Sequence, residues 1–458
     1  MSDRVSVVVN TSPSSPPSAG PVSGRYFIVG QTQKGSTTPT IIRSMREYIA
    51  EYGSRTVGSA MYDAAELALR SGVAELVVTR AVGPSPVRAS ASLESGDIVV
   101  TAKDFGAFAN AFTAAYVSAT KTLTVVTDVG TETYTGTTIA ELIAAANAST
   151  TVTVTSTNNA LPSSDVSATN LTLGADDFGN VAWATTLATI TPDLGPGAIA
   201  TPGVAHASTG QALATHAAAN DRLGLVTVAA GSNLSTATSA AATIRGYTSS
   251  THLAFVWPHV TVPDGTGAQR TVDPTAFAAG LRARAHAVGI GESALAERYA
   301  RQVVDVAPEI AVTSADWSTA NAARISVVRT VAGVTRLYSW QTVNAAKTNL
   351  LPAQYRDMVN ALSYGGSVIL ESYVGQPGTA ATYAAAAGEL SGFLSGYAAY
   401  LQPRISGGVQ VDPGYVVSVS GGFDPADNRI SADVSVRFAE SVEFVDFTIA
   451  VGDANAVI

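Results

Sequence analysis

RYFIVG, Arg25 to Gly30, is a short apolar run closed by a glycine, and ELVVTR, Glu75 to Arg80, is a second run of the same kind. Runs of this length bounded by turn residues are the pattern of strands buried on both faces. Between them the period changes. Ser44-Met45-Arg46-Glu47 has the form of a capping box, in which Ser44 accepts from the Glu47 N–H and Glu47 returns the bond, and Gly53 closes that helix. A second helix is predicted from Ser59 to Arg70, where Met61, Ala65, Ala68 and Leu69 recur at helical spacing before Gly72. Strand, helices, strand predicts a right-handed crossover and a parallel sheet, hence an α/β core.

Past Val82 the character changes to Thr/Val/Ala alternation with a turn about every ten to twelve positions, the spacing of an antiparallel unit. Candidate strands are DIVVTA from Asp97, FTAAYVSA from Phe112, TLTVVTD from Thr122, ETYTG from Glu132 and TVTVTST from Thr151. A helix with its own capping box, Thr138 to Asn147, interrupts them. After Trp183 the α/β rhythm returns, with strands expected at LGLVTV from Leu223, HLAFVWP from His252, ISVVRTV from Ile325 and RLYSWQTV from Arg336. Asp273 and Pro274 open a helix through Phe277, Leu281 and Val288, and two more helices are expected near Pro352 to Leu362 and Ala380 to Tyr400. The expected organisation is α/β (α+β) and multi-domain: an N-terminal arm and linker at 1–24, a first part of the core at 25–88, a β-rich insertion at 89–180, a second part of the core at 181–438, and a C-terminal arm strand at 439–458.

The two ends read as strands on arms. Val442, Phe444, Val445, Phe447, Ile449 and Val451 form a long, largely alternating apolar pattern, and Val5, Val7 and Val9 repeat it at the start. The stretch TSPSSPPSAGPVSG, Thr11 to Gly24, is a Pro/Ser/Gly tether that packs as neither helix nor sheet. Each terminal strand either pairs within its own subunit or joins the open sheet edge of another molecule.

Composition bears on that choice. The 458 residues are 46% hydrophobic yet only 13% charged, about half of the roughly 25% charge usual for soluble domains. Lys occurs only at positions 34, 103, 121 and 347, against 22 Arg. A surface covered by other subunits accounts for this, because interfaces are depleted in Lys, Glu and Asp and favour Arg and Tyr; a GC-rich genome also favours Arg and Ala. The net charge of −9 and the absence of a Lys/Arg cluster argue against direct nucleic-acid binding. Without Cys there are no disulfides or thiolate metal sites, and no stretch has the length and apolarity of a membrane span or the pattern of a signal peptide. Synthesis in a cytoplasm and no membrane insertion are expected.

Enzymatic constellations are weak. Gly30-Gln31-Thr32-Gln33-Lys34-Gly35-Ser36 resembles a phosphate loop, but its Lys precedes the second Gly, so a turn is expected instead. Gly289-Ile290-Gly291-Glu292-Ser293-Ala294 follows a helix and lacks the third Gly of a dinucleotide loop. His206, His216, His252, His259 and His286 have no metal-ligand spacing, there is no nucleophile elbow, and the pairs Asp176/Asp177 and Glu440/Glu443 read as solvated or ion-paired carboxylates. No catalytic, cofactor-binding or metal residues are assigned.

The order of segments resembles the tail sheath proteins of contractile phages, a family shared with tailocins and extracellular contractile injection systems. Gly24 to Gly30 with Lys34-Gly35, then REYIAEYG (Arg46 to Gly53) and SGVAELVVTRAVG (Ser71 to Gly83), are similar to the family's opening strand, small-Lys-Gly turn, helix and following strand. AKDFGAFAN (Ala102 to Asn110), WPHVTVPDG (Trp257 to Gly265), PTAFAAGLRARAHAVGIGES (Pro274 to Ser293), RLYSWQTV and FAESVEF (Phe438 to Phe444) resemble later family segments in the same order. His286 stands near the family's usual Asp, and Ser339 and Gln341 stand where Gly and Arg are common.

That resemblance implies a non-enzymatic structural subunit without cofactors. Its copies would form hexameric discs stacked helically around a tail tube, with baseplate and tail terminator proteins as further partners, in a virion tail assembled in the host cytoplasm. A metastable extended state would contract and drive the tube through a cell envelope. Inter-subunit strand exchange is then expected of Val5, Val7, Val9, Val442, Phe444, Val445, Phe447, Ile449 and Val451. A tailocin or injection-system sheath is the nearest alternative, and a doubly wound α/β enzyme the remote one.

Overall fold

Strand β1, Tyr26–Gly30, sits inside an eight-stranded mixed sheet. The computed structural model describes residues 24–439 apart from 57–58, 265–267, 345–349, 407–408 and 423–428. On one side β1 pairs in parallel with β3, Leu76–Arg80, which is edged by the short antiparallel β2, Thr40–Ile42. On the other side follow Gly197–Ala200, Arg222–Val226, Leu253–Trp257 and Ile325–Val331, all parallel, and then the antiparallel edge strand Val334–Leu337.

Alternation along β1 builds two cores. Tyr26 and Ile28 point into a layer with Tyr48, Tyr52, Met61 and Phe277, while Phe27 and Val29 point into the opposite layer with Leu213, Ile244, Phe255 and Trp257. The first layer is covered by α1, Met45–Tyr52, by α2, Ala60–Ser71, and by helix Pro274–Val288. The second is covered by His206–Ala219, Leu234–Arg245 and Ser314–Ala322. Where α2 meets Pro274–Val288, a Cβ on Gly280 would fall inside the Ser71 side chain, so the approach of the two helices depends on glycine there.

Several local expectations are revised. Ser44 does accept from Glu47 N–H, at 3.3 Å, but Glu47 Oε2 takes the N–H of Arg43 at 2.7 Å, one residue before the cap. The reciprocal box is complete at Thr138 and Glu141. RLYSWQTV is strand only to Leu337; beyond it Ser339 Oγ donates to Ile325 O and accepts from Val327 N–H, so a side chain takes over the ladder bonds. Gly197–Ala200, a central strand, was not expected from the sequence.

Residues from Ala89 to Leu171 build a third hydrophobic cluster of their own, from a three-stranded and a four-stranded antiparallel sheet and helix Ile139–Ala146. Buried Arg80, at the end of β3, reaches the main-chain oxygen of Phe105 at 2.7 Å and ties this region to the large sheet.

Contacts divide the chain into two units between Tyr364 and Gly365, within the stretch 181–438 expected to be one part of the core. Helix Ala353–Glu371 spans that boundary. The second unit contains helix Ala380–Ser395, a two-stranded ribbon of Arg404–Ser406 with Val409–Asp412, and a longer hairpin of Tyr415–Gly422 with Arg429–Val436. The hairpin strand Tyr415–Gly422 packs on Ala380–Ser395, and Tyr415 Oη donates to Ser391 O at 3.1 Å. Among the described residues no helix is long and apolar enough to cross a membrane.

Candidate functional site

The residues expected to exchange strands, Val5, Val7, Val9, Val442, Phe444, Val445, Phe447, Ile449 and Val451, lie outside the described residues, as does the pair Glu440/Glu443. The described chain stops next to a partly used sheet. After Val436, Arg437 N–H bonds Gly414 O at 2.8 Å, and Ala439 N–H bonds Tyr400 O at 2.9 Å. The hairpin ladder runs in register from Tyr415 opposite Val436 to Gly422 opposite Arg429, and among the described residues neither strand has a third neighbour in that sheet. Its Tyr415, Val417 and Val419 side is partly covered, whereas Val416, Ser418 and Ser420 are exposed. The neighbouring ribbon is barer still: Ile405 is 66%, Val409 67% and Val411 57% exposed. A lone two-stranded ribbon is marginal in water unless something packs on it or extends it.

The positions that resemble chemical motifs have structural work. In the Gly30 to Ser36 turn, Lys34 Nζ reaches Asp128 Oδ2 at 2.7 Å, and Ser36 N–H bonds Glu51 Oε1 at 3.0 Å. Gly289 caps the helix before it by donating to Ala285 O at 3.1 Å. Asp176 accepts from Gln31 at 2.9 Å, and Asp177 accepts from Ser85 N–H at 3.1 Å and from Asn180 at 2.6 Å, so both carboxylates are held by hydrogen bonds.

The histidines are dispersed. Arg222 donates to His216 Nε2 at 2.9 Å, to Ile190 O at 2.9 Å and to Thr191 O at 2.7 Å, with its guanidinium 4.2 Å above the Phe27 ring. Burial, with Arg222 beside it, pushes His216 down to about 4. Burial, with Arg356 beside it, does the same to His252, also to about 4. His286 Nε2 lies 3.6 Å from Asp357 Oδ2. No group of three or more His, Asp or Glu able to hold a metal occurs among the described residues.

The strand order reverses between β1 and Gly197–Ala200, and a crevice of about 500 Å³ opens beyond the carboxyl ends of these two strands. Gln31, Tyr48, Tyr62, Phe108, Phe178 and Gly203 are among its walls. This is where doubly wound sheets hold ligands, but among the described residues no glycine-rich phosphate cradle precedes α2. The hydroxyl of Ser59, the N-cap of α2, accepts instead from Thr56 N–H at 3.0 Å.

Sequence spacing gave no sign of this arrangement, because the crevice draws its walls from segments up to about 170 residues apart, from Gln31 to Gly203. Tyr48 and Tyr52, four apart in REYIAEYG, were the one available signal, since i, i+4 aromatics mark the inner face of a helix.

Comparison with solved structures defines the class of fold. The sheath tail protein of Desulfitobacterium hafniense matches with a TM-score of 0.62 at 17% identity, over 94% of this chain and 100% of that one. A sheath tail protein of Listeria innocua matches with a TM-score of 0.58 at 14% identity, over 90% of this chain and 94% of that one. The helical sheath of the anti-feeding prophage in its contracted state matches with a TM-score of 0.56 at 14% identity, over 98% of both chains. The chain therefore has the sheath-protein fold. No protein-family model and no curated protein matches the sequence.

Proposed function

We propose that this chain is the structural subunit of a contractile sheath, which polymerises around an inner tube and contracts to drive it through a cell envelope. The observation that carries this reading is end-to-end likeness to sheath chains, up to 98% of this chain and 98% of the other, including a contracted assembly. The subunit catalyses nothing and takes no cofactor in this reading; the free energy for contraction is stored during assembly in a metastable lattice. Its partners are copies of itself in hexameric discs, a tail tube protein, and baseplate and tail terminator proteins. Its location is a virion tail assembled in the host cytoplasm. The match to the sheath of an extracellular contractile injection system, over 98% of both chains, equally favours an injection-system sheath; capsid and terminase genes beside this one would decide for a phage.

The 1–24 arm and the 439–458 arm strand act between subunits, and the 89–180 region is a peripheral insertion in the core formed by 25–88 and 181–438. The C-terminal strand adds to the sheet of a neighbouring subunit, helped by Val5, Val7 and Val9. Burying Val445, Phe447, Ile449 and Val451 would contribute on the order of 6 to 10 kcal/mol before ordering costs. Truncation after Ala439 tests this by size-exclusion chromatography and negative-stain microscopy. A folded monomer unable to form tubes is expected, and normal tubes from the truncated chain would remove the exchange mechanism.

A further inference from the structure

The crevice at the strand-order reversal has features that the strand exchange proposed above does not use. Helix α2 points its first turn into it: Ser59, Ala60, Met61 and Tyr62 all line the space. Because the Ser59 hydroxyl is turned to Thr56, the side chain that ordinarily caps a helix leaves the N–H groups of Ala60, Met61 and Tyr62 without a hydrogen bond among the described residues. Such an end carries partial positive charge and unspent donors. A second feature borders the same space, where the Tyr48 ring packs edge-on against Tyr62 at 5.7 Å. Tyr48 is 2% exposed, lines the same crevice, and its hydroxyl has no hydrogen-bond partner among the described residues. Burial pushes the Tyr48 pKa far up, so the hydroxyl stays a donor.

Charge narrows the ligand. The nearby Asp63 carboxylate is paired with Arg55 at 2.7 Å and Arg270 at 2.6 Å, which offsets part of its repulsion of one more negative charge. No unpaired Lys or Arg lines the space, and Asp176 does, which disfavours a dianion such as a phosphate monoester. Tyr62, Phe108 and Phe178 offer apolar surface beside the donors.

We propose that this crevice binds a monocarboxylate on an aromatic or branched apolar body, its oxygens taken by the first-turn N–H groups of α2 and by the Tyr48 hydroxyl. A free organic acid and the C-terminus of a peptide share this chemistry.

Saturation-transfer difference NMR on the full chain, which tolerates polymerised protein, distinguishes the two. The probes are 4-phenylbutyrate and N-acetyl-Leu-Phe, each paired with its primary amide. Saturable binding of at least one acid is expected, with its amide weaker by about tenfold or more, since a hydrogen bond to a charged group is at stake. Binding of only one acid identifies the source of the carboxylate. Tyr48→Phe should weaken the acid by about tenfold and leave the amide unchanged. Ala60→Pro removes one N–H at a helix position that accepts proline and should act likewise. An amide that binds as well as its acid, or no saturable binding of either acid up to about 10 mM, overturns the proposal. Because that comparison uses the unsubstituted chain, it stands even if a variant fails to fold.

Discussion

Arg282 grips Asp357 through two hydrogen bonds of 2.8 Å, with the two side chains 3% and 1% exposed. The pair joins helix Pro274–Val288 to the first turns of helix Ala353–Glu371, inside the first unit. Burial alone would raise the Asp357 pKa, but Arg282 and then His286 outweigh it, and the net direction is down.

Removing one partner of such a pair strands the other charge. Asp357→Asn is expected to cost about 3 to 5 kcal/mol in urea unfolding, whereas Asp357→Leu combined with Arg282→Met should recover much of it. A carboxyl whose folded pKa is depressed stabilises fully above its unfolded value near 4, and that contribution fades as pH falls through the folded pKa. The double variant should therefore lose less stability than the parent below about pH 4.

His216 works in the same sense as Asp357, but in a higher pH window. Burial, with Arg222 beside it, holds its folded pKa down at about 4, below the ordinary histidine value near 6.5, so below about pH 6.5 the unfolded chain binds a proton that the folded chain refuses. Stability is then full above about pH 6.5 and falls between there and about pH 4, by about 3 kcal/mol from this group alone. Urea midpoints across that window should slope steeply for the parent and less steeply for His216→Gln.

Gly280 against Ser71 gives a steric test. Gly280→Ala is expected to destabilise the chain by about 1 to 3 kcal/mol, because both contacting groups are fixed in helices. Adding Ser71→Gly should return part of that loss, and simple additivity in a double-mutant cycle would show that the two positions do not touch.

Replacing Ile405, Val409 and Val411 with Ser tests whether the bare ribbon in the second unit takes part in assembly. The substitutions should shift monomer stability by no more than about 0.5 kcal/mol each, since little apolar surface is buried there. Tube formation, scored by microscopy, should fall. Unchanged tubes would place the ribbon outside every interface.

The sequence was most readable where one period ruled. Arg25 to Gly30, Ile325 to Val331 and the helix at Thr138 announce themselves through runs of apolar residues or complete caps, and their boundaries held within a residue or two. Gly197–Ala200 did not, because Gly197, Ala198 and Ala200 leave Ile199 as its one bulky residue after Gly195-Pro196, and two parallel neighbours make it a strand. The second unit was similarly opaque. Val417 to Ser420 alternates valine with serine, and its pairing with Arg429–Val436 is set by register rather than by a hydrophobic signal. Contacts across distance, such as Arg282 to Asp357, 75 residues away, leave no trace in local pattern at all.

The margins of the large sheet have a consequence of their own. Thr40–Ile42 and Val334–Leu337, three and four residues long, both run against the grain of the strands they border. A foreign strand laid along either would find a foothold of only a few rungs, too short to hold it. The hairpin of the second unit runs for eight residues on each strand, which leaves about four outward-facing N–H and C=O pairs along each edge. Strand length thereby sorts this molecule's borders into mute and adhesive ones, and a mistake in association has to begin where the rungs are many.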